Sequence, residues 1–447
     1  MTVTASADIT AAQRKKEVRR VVLSSYLGST IEFYDFLLYA TAAAIVFAPV
    51  FFSDLSPLAG TIASMGTFAA GYLARPFGGV VFGHFGDRYG RKSMLLISMT
   101  VMGVASFLIG LVPPASAIGS WAAIILVLLR VCQGIAVGGE WGGAALMSLE
   151  HVGGRGRGFA ASFTNAGAPT GSLLGTLALA LVALLPEDDF LSWGWRIPFL
   201  LSAVMLAVGL FVRARVSESP LFREAMAKQA EVDATAVDRR TAPPILSVLR
   251  RPRNLLLVAL GCMASFGIQT MFTTFAIGYA SHSGVTRSQA LLAFAVCQFV
   301  AIFTLLGFAR LSDRVGRRPV MLFGLGAFVV LIVPILALLS SGNVALVTLG
   351  FVLGFGVCQS ATYGPMAAYI AEQFGTAARY TGASLGYQGA TLLGAGFTPV
   401  ILASLQAAAG GGTGLVAAFM IGLAVLSAVF ILLAKESKDR DLSTYEH

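Results

Sequence analysis

The sequence predicts an all-α polytopic membrane protein, with twelve transmembrane helices in two six-helix parallel repeats. Hydrophobic residues make up 56% of the 447-residue chain and charged residues 12%, at a mean hydropathy of +0.79. A soluble domain carries about 25% charge. Twelve apolar runs each approach the roughly 20 residues needed to cross a hydrocarbon core about 30 Å thick. A basic signature also appears twice, as Gly83-His84-Phe85-Gly86-Asp87-Arg88-Tyr89-Gly90-Arg91-Lys92 and as Arg310-Leu311-Ser312-Asp313-Arg314-Val315-Gly316-Arg317-Arg318. The copies lie 313 − 87 = 226 residues apart, about half the chain, and each falls between two apolar runs. Related halves of this kind mark an internally repeated membrane fold.

In chain order the runs lie at about 21–52, 58–82, 94–112, 120–148, 158–186, 194–214, 254–280, 288–309, 319–340, 343–371, 380–408 and 412–434. A backbone in lipid must satisfy its own hydrogen bonds, so each run is a helix. The organisation expected is a cytoplasmic segment 1–20, a bundle 21–214, a central loop 215–253, a second bundle 254–434 and a tail 435–447. The first twenty residues are polar, and the run behind them is too long for a signal h-region, so a cleaved leader is not expected. The amino terminus, alternate loops and tail hold 27 of the 31 Lys and Arg, whereas the opposite segments carry Asp54 and Glu187-Asp188-Asp189. That asymmetry puts both termini and both signatures in the cytoplasm. The net charge of +9 is therefore topological, with some attraction to anionic lipid, and does not indicate nucleic-acid binding. Cys132, Cys262, Cys297 and Cys358 fall in helices without metal-ligand spacing, and the four histidines are scattered, so no metal or cofactor is expected. No nucleophile–base set or phosphate loop supports an enzyme.

The repeat extends past the signature. Glu150 precedes Arg157 by seven residues as Glu372 precedes Arg379, and Glu218-Ser219 after helix 6 matches Glu436-Ser437 after helix 12. An even number of helices per half makes the repeats parallel. Pro243-Pro244 in the linker precedes a basic stretch that reads as an interfacial helix.

The halves differ in buried charge. Helix 1 carries Glu32 and Asp35 and helix 4 carries Arg130 and Glu140, whereas helices 7 and 10 offer Gln269 and Gln359. Ionisable residues at membrane depth are costly and mark function. A carboxyl moving between an arginine partner and an unpaired buried setting takes up and releases a proton. Asp35 is expected to carry the proton, with Glu32 as neighbour and Arg130 as the partner sensing its charge; a static ion pair is the alternative. Glu140, inside Gly138-Gly139-Glu140-Trp141-Gly142-Gly143, fits coupling or a structural pin equally. Arg75 before Pro76 is expected to snorkel to the cytoplasmic surface, substrate binding being the alternative. Tyr34, Tyr39, Gln133, Asn165, Gln269, Gln298, Gln359, Tyr363, Tyr387 and Gln388 are candidates to line a polar central cavity, although each could equally bond a neighbouring helix.

These residues resemble the metabolite:proton symporters of the major facilitator superfamily. The resemblance rests on Glu32-Phe33-Tyr34-Asp35-Phe36, Arg75-Pro76-Phe77-Gly78-Gly79, the signature, Arg130-Val131-Cys132-Gln133-Gly134, Glu140-Trp141-Gly142-Gly143-Ala144, Ser192-Trp193-Gly194-Trp195-Arg196-Ile197-Pro198-Phe199, Arg379-Tyr380-Thr381-Gly382 and Gly386-Tyr387-Gln388. It implies two bundles rocking about a central cavity in the cell membrane, with proton-driven uptake of a small polar metabolite. Members of the family take shikimate, 2-oxoglutarate, citrate, or zwitterions such as proline and betaine. Osmolyte uptake and proton-coupled efflux remain open beside organic-acid import. A sensor is disfavoured by the short tail after about Lys435, and a monomer whose partners are substrate, protons and lipid is expected. The resemblance also implies a cytoplasmic gate in which Asp87 meets the start of helix 11 near Arg379, and Asp313 the start of helix 5. Arg88, Arg91, Arg314 and Arg317 would pair with Glu150, Glu218, Glu372 and Glu436, a purely topogenic role being the alternative. The sequence departs from the family pattern in helices 7, 8 and 10 and at Phe33, which leaves the substrate less defined than the proton machinery.

Overall fold

In the computed structural model, residues 11–152, 156–182, 184–215, 248, 252–375 and 379–440 are described. They form twelve long helices: α1 (Ala11–Ile45), α2 (Pro57–Tyr89), α3 (Arg91–Leu111), α4 (Trp121–Val152), α5 (Arg157–Val182), α6 (Glu187–Ala214), α7 (Pro252–Ser281), α8 (Arg287–Val315), α9 (Arg317–Leu339), α10 (Val344–Ala371), α11 (Arg379–Ala408) and α12 (Gly414–Leu433). Nine of these are long and apolar enough to cross a membrane by length and composition alone. Their outward faces carry large apolar side chains such as Phe77, Val330 and Val400, as a helix facing lipid requires.

The first helix differs from the expected 21–52. It is already helical at Ala11, the first described residue, and ends at Ile45, and a separate turn at Phe47–Phe51 follows. The central stretch holding Glu218 and Pro243-Pro244 lies outside the described residues, apart from Val248.

The two signature turns are built alike. One residue separates α2 from α3 and one separates α8 from α9, namely Gly90 (φ 102°) and Gly316 (φ 110°). Only glycine enters that region without Cβ strain, so the Gly of the signature is what reverses the chain without a loop. The following Arg91 and Arg317 then sit at the first position of the next helix, both buried.

Within the first half, α1 packs on α5, α2 on α4, and α3 on α4 and α6. Between halves, α2 packs on α11 and α5 on α8. Because α2 corresponds to α8 and α5 to α11 in the repeat, these are the same contact made twice about a pseudo-twofold axis.

Candidate functional site

A small cavity, with water-sized room of about 10 Å³, lies among α1–α4 and is lined by Glu32, Asp35, Phe36, Arg75, Arg130 and Gln133, among others. Helix 1 places Glu32 and Asp35 on one face because they are three residues apart. Both carboxyls are only 2% exposed. Ser202 of α6 donates a hydrogen bond to Asp35 Oδ1, and its Oδ2 has no partner among the described residues. No hydrogen bond is made to Glu32 among the described residues, and its Oε2 is buried without a partner. The guanidinium of Arg130 lies 4.1 Å from the Tyr39 ring centre and 5.0 Å from that of Phe68, and donates to Gln133 Oε1 at 3.1 Å. Gln133 Nε2 in turn donates to Ser106 Oγ at 2.7 Å. Arg130 therefore contacts rings and an amide, and makes no direct ion pair with a helix 1 carboxyl among the described residues. A Cβ at Gly71 would collide with Arg130, which explains the glycine opposite it.

Two arginines are placed differently from expectation. Arg75 does not snorkel to the surface. It is 6% exposed, lines the cavity, and lies 4.7 Å from the Phe36 ring and 4.5 Å from the Tyr72 ring. Arg213, at the end of the run 194–214 and counted among the 27 loop and terminal cations, is the buried end of α6 and donates to Glu140 at 2.5 Å and to the Leu95 carbonyl at 2.9 Å. Glu140 is thereby held in an ion pair outside the cavity lining, and Gly28 leaves the space through which Arg213 passes.

The polar candidates of the carboxyl-terminal half do not line this cavity. Tyr34 donates to the Pro198 carbonyl (2.9 Å) and Tyr39 to Thr67 (2.7 Å), both within the first half. Gln269 is half-buried, while Gln298 and the Nε2 of Gln359 are buried without partners among the described residues. Three of the candidates, Asn165, Tyr363 and Tyr387, instead join Trp141 in a closed circuit across the halves. Trp141 Nε1 donates to Asn165 Oδ1 (2.8 Å), Asn165 Nδ2 donates to the Tyr363 carbonyl (2.6 Å), and the Tyr363 and Tyr387 hydroxyls share a 3.0 Å bond. The Tyr387 ring then stacks on Trp141, with centroids 3.7 Å apart and planes at 17°. A buried indole needs an acceptor for its N–H, a requirement that could have singled out Trp141 in the sequence. Beside the circuit, Tyr380 and Gln388 donate to the carbonyls of Gly139 (2.7 Å) and Gly138 (3.1 Å). The α4 glycines permit this approach, since a Cβ at Gly142 would collide with Ser384 of α11.

At the basic-loop end the halves are bound by two related triads. Glu150 receives Arg91 from its own half and Arg379 (3.0 Å) from the other. Glu372 receives Arg317 (3.2 Å) from its own half and Arg157 (2.7 Å) from the other. Asp313 accepts from the backbone N–H groups of Gly158 (3.0 Å) and Phe159 (2.8 Å) at the start of α5, and from Arg317 (2.6 Å). An anion at a helix amino terminus meets unpaired N–H groups and the positive dipole end. The side chain of Asp87 lies outside what is described. Arg88 and Arg314 are exposed and make no ion pair among the described residues, and Glu218, one of the expected partners, lies outside them.

The tail joins the second triad. Arg157 also donates to the carbonyls of Ser437 (3.0 Å), Lys438 (2.9 Å) and Arg440 (2.8 Å), and Ser437 Oγ donates to Glu372 (2.6 Å). Burial presses the Glu436 carboxyl upward, but the backbone N–H groups of Arg317, Arg318, Ser437 and Lys438 outweigh it and hold the group below the usual carboxylate range.

The chain matches the Major Facilitator Superfamily profile over residues 33–395 and 276–446. It is 38% identical to the shikimate transporter of Escherichia coli over 94% of this chain and 95% of that one. It is 39% identical to the inner membrane metabolite transport protein YhjE of Escherichia coli over 95% of each. The proline/betaine transporter of Salmonella typhimurium is 31% identical over 87% of this chain and 78% of its own length. Among solved structures, the proton:xylose symporter XylE bound to 6-bromo-6-deoxy-D-glucose superposes with a TM-score of 0.76 at 19% identity, covering 96% of this chain and 98% of that one. These relatives and the fold are those of membrane transporters, not enzymes. By its profile match and its curated relatives, the chain belongs to the Major Facilitator Superfamily.

Proposed function

We propose that the chain imports a small organic acid of the shikimate class together with protons, by alternating access, with both termini and the basic loops in the cytoplasm. The observation that carries this is a cavity in which Arg75 and Arg130 face Glu32 and Asp35 without direct ion pairing. A guanidinium has five N–H donors. Arg130 uses one of them on Gln133, and both arginines otherwise lie against aromatic rings. Donors left open in a buried site suit the two oxygens of a carboxylate.

The charge count makes the symport reading specific. Two cations and two ionised carboxylates sum to zero, whereas one protonated carboxyl leaves +1. The site then favours an anion, and a bound anion favours the proton, so the two ligands bind cooperatively. The triads and the circuit close the cytoplasmic path in the present state. A zwitterionic osmolyte is the second reading, favoured by the charge balance of the fully ionised cavity and by the likeness to proline/betaine transporters.

Uptake of labelled shikimate, 2-oxoglutarate, citrate and betaine into proteoliposomes, under an imposed inward proton gradient, tests the proposal. Concentrative uptake of a carboxylate abolished by a protonophore is expected. Accumulation of betaine alone, or efflux of every acid, overturns it.

A further inference from the structure

We infer that the Arg213–Glu140 ion pair is a proton seal inside the amino-terminal half, closing a passage between the charged cavity and a second cavity at the basic-loop end. This deepens the reading above and rests on it, because symport requires that a proton cross only with its substrate.

The second cavity also has water-sized room of about 10 Å³, and is lined by Ser24 and Ser25 of α1, Lys92 and Leu95 of α3, Met147 of α4 and Arg213 of α6, among others. It lies below the charged cavity, toward the basic loops, along the same helices. From α3, Leu95 lines the lower cavity and Met102 the upper; from α1, Ser25 lines the lower and Glu32 the upper. Both offsets are seven residues (102 − 95 and 32 − 25), about 10 Å at 1.5 Å per residue. On α4 the lining runs from Val137 above to Met147 below, with Glu140 between them. Arg213 donates to Glu140 at 2.5 Å and to the Leu95 carbonyl at 2.9 Å. Its guanidinium fills the space beside Gly28 of α1, one helical turn from Glu32. Below the pair, Ser25 donates to the Ala144 carbonyl (3.0 Å), and the half-buried Lys92 donates to the Ala214 carbonyl (2.9 Å).

A row of polar groups thus runs from Asp35 and Glu32 toward the basic-loop surface, with the ion pair in its middle. The charged groups facing the pair are Glu32, with Asp35 and Arg75 beyond it, on the upper side and Lys92 on the lower. Helices α1, α3, α4 and α6 all belong to one half, so rocking of the halves does not part the two cavities. The barrier between them has to be permanent. Stability alone does not account for charge at this position, since a buried ion pair replaced by apolar residues of like volume is often neutral or stabilising. A guanidinium does not deprotonate in a protein, and a fixed cation in a narrow path repels protons, as an arginine does in water-conducting pores. Glu140 holds that cation across the path. Its own carboxylate, engaged with Arg213 through Oε1, is not free to pass a proton from Glu32 onward.

The test reads protons alone. Full-length protein in proteoliposomes with a trapped pH-sensitive dye, the potential clamped by potassium and valinomycin, is given an inward proton gradient with no metabolite present. Wild type should hold the gradient almost as well as protein-free liposomes. Glu140→Gln combined with Arg213→Gln keeps a polar pair, strands no ion and removes the fixed charge, and should raise the leak at least about fivefold. Arg213→Gln alone should leak likewise, since Glu140 is then free to relay. Glu140→Leu combined with Arg213→Met makes an apolar plug and should stay near wild type. Adding Ser24→Leu to the glutamine pair fills the lower cavity and should return the leak to near the wild-type rate. If the glutamine pair and Arg213→Gln both hold the gradient as wild type does, in protein that elutes as a single species, the inference is overturned. An equal leak in the Leu–Met pair also overturns it, because loosened packing would then be the cause. So does a leak that survives Ser24→Leu, which would run between the halves instead. No metabolite is added, so these results decide the seal even where wild type accumulates no organic acid, the outcome that defeats the transport reading.

Discussion

Arg157→Gln is the sharpest perturbation of the closed basic-loop end. Arg157 belongs to the amino-terminal half, and its side chain makes four bonds to the other half: Glu372 at 2.7 Å and the carbonyls of Ser437, Lys438 and Arg440 at 3.0, 2.9 and 2.8 Å. All four must part when that end opens, whereas Glu372 keeps Arg317 in either state. A hydrogen bond to a charged group contributes about 1.5–3 kcal/mol net of water. Treating the ion pair and one carbonyl as independent gives about 3–6 kcal/mol. A glutamine that retains one neutral bond, worth about 1 kcal/mol, leaves a loss of about 2–5 kcal/mol. At 1.4 kcal/mol per factor of ten, the closed-to-open ratio falls at least about 30-fold. A Ser384→Cys reporter, fully buried where α11 meets Gly142 and alkylated by an impermeant maleimide from the basic-loop side in protein with its native cysteines replaced, reads this directly as a rise in labelling rate. A rise smaller than threefold, in protein that elutes as a single species and melts normally, refutes the reasoning.

Three further outcomes are expected. Asp35→Asn should abolish gradient-driven accumulation in proteoliposomes while leaving the fold intact by thermal melting; persistent concentrative uptake would show that Asp35 is not the coupling group. Arg213→Met should destabilise the protein by about 3–5 kcal/mol, because it strands the buried Glu140 carboxylate, and Glu140→Leu in the same chain should restore most of that loss. A double variant no more stable than Arg213→Met counts against the ion pair. The Glu436 carboxyl is held below its ordinary range, so its contribution to stability is present above about pH 4.5 and fades as pH falls through its lowered folded value. Glu436→Gln should therefore melt below wild type at pH 7, and the gap should close on acidification toward pH 3. A gap independent of pH contradicts the assignment.

What the sequence made legible follows from what a helix fixes. Depth along an axis comes from residue count, so Glu32, Asp35 and Arg130 could be put at membrane depth from the chain alone, and the doubled Asp-Arg-x-Gly-Arg could be put at two turns of one kind. Azimuth and partner do not come from counting. Arg213 lies near the end of an apolar run and reads as loop, yet it turns inward to Glu140 through the space left at Gly28. Arg75 reads as an inner-end cation, but the rings of Phe36 and Tyr72 hold it beside the cavity. Glu150 and Arg379 are 229 residues apart, and no local spacing joins them. The expected central cavity drew on both halves. The enclosed space that the structure shows lies within the first, because α4 and α11 meet along glycines and close the space between the halves at this depth.

The central claim is that a proton and an organic acid enter together. Proteoliposomes containing a trapped pH-sensitive dye, with equal pH on both sides and a clamped membrane potential, measure it most directly. Adding an outward-to-inward gradient of the transported acid should acidify the lumen at a rate proportional to uptake, and Asp35→Asn should show no such signal. Substrate entry without lumenal acidification would contradict the account.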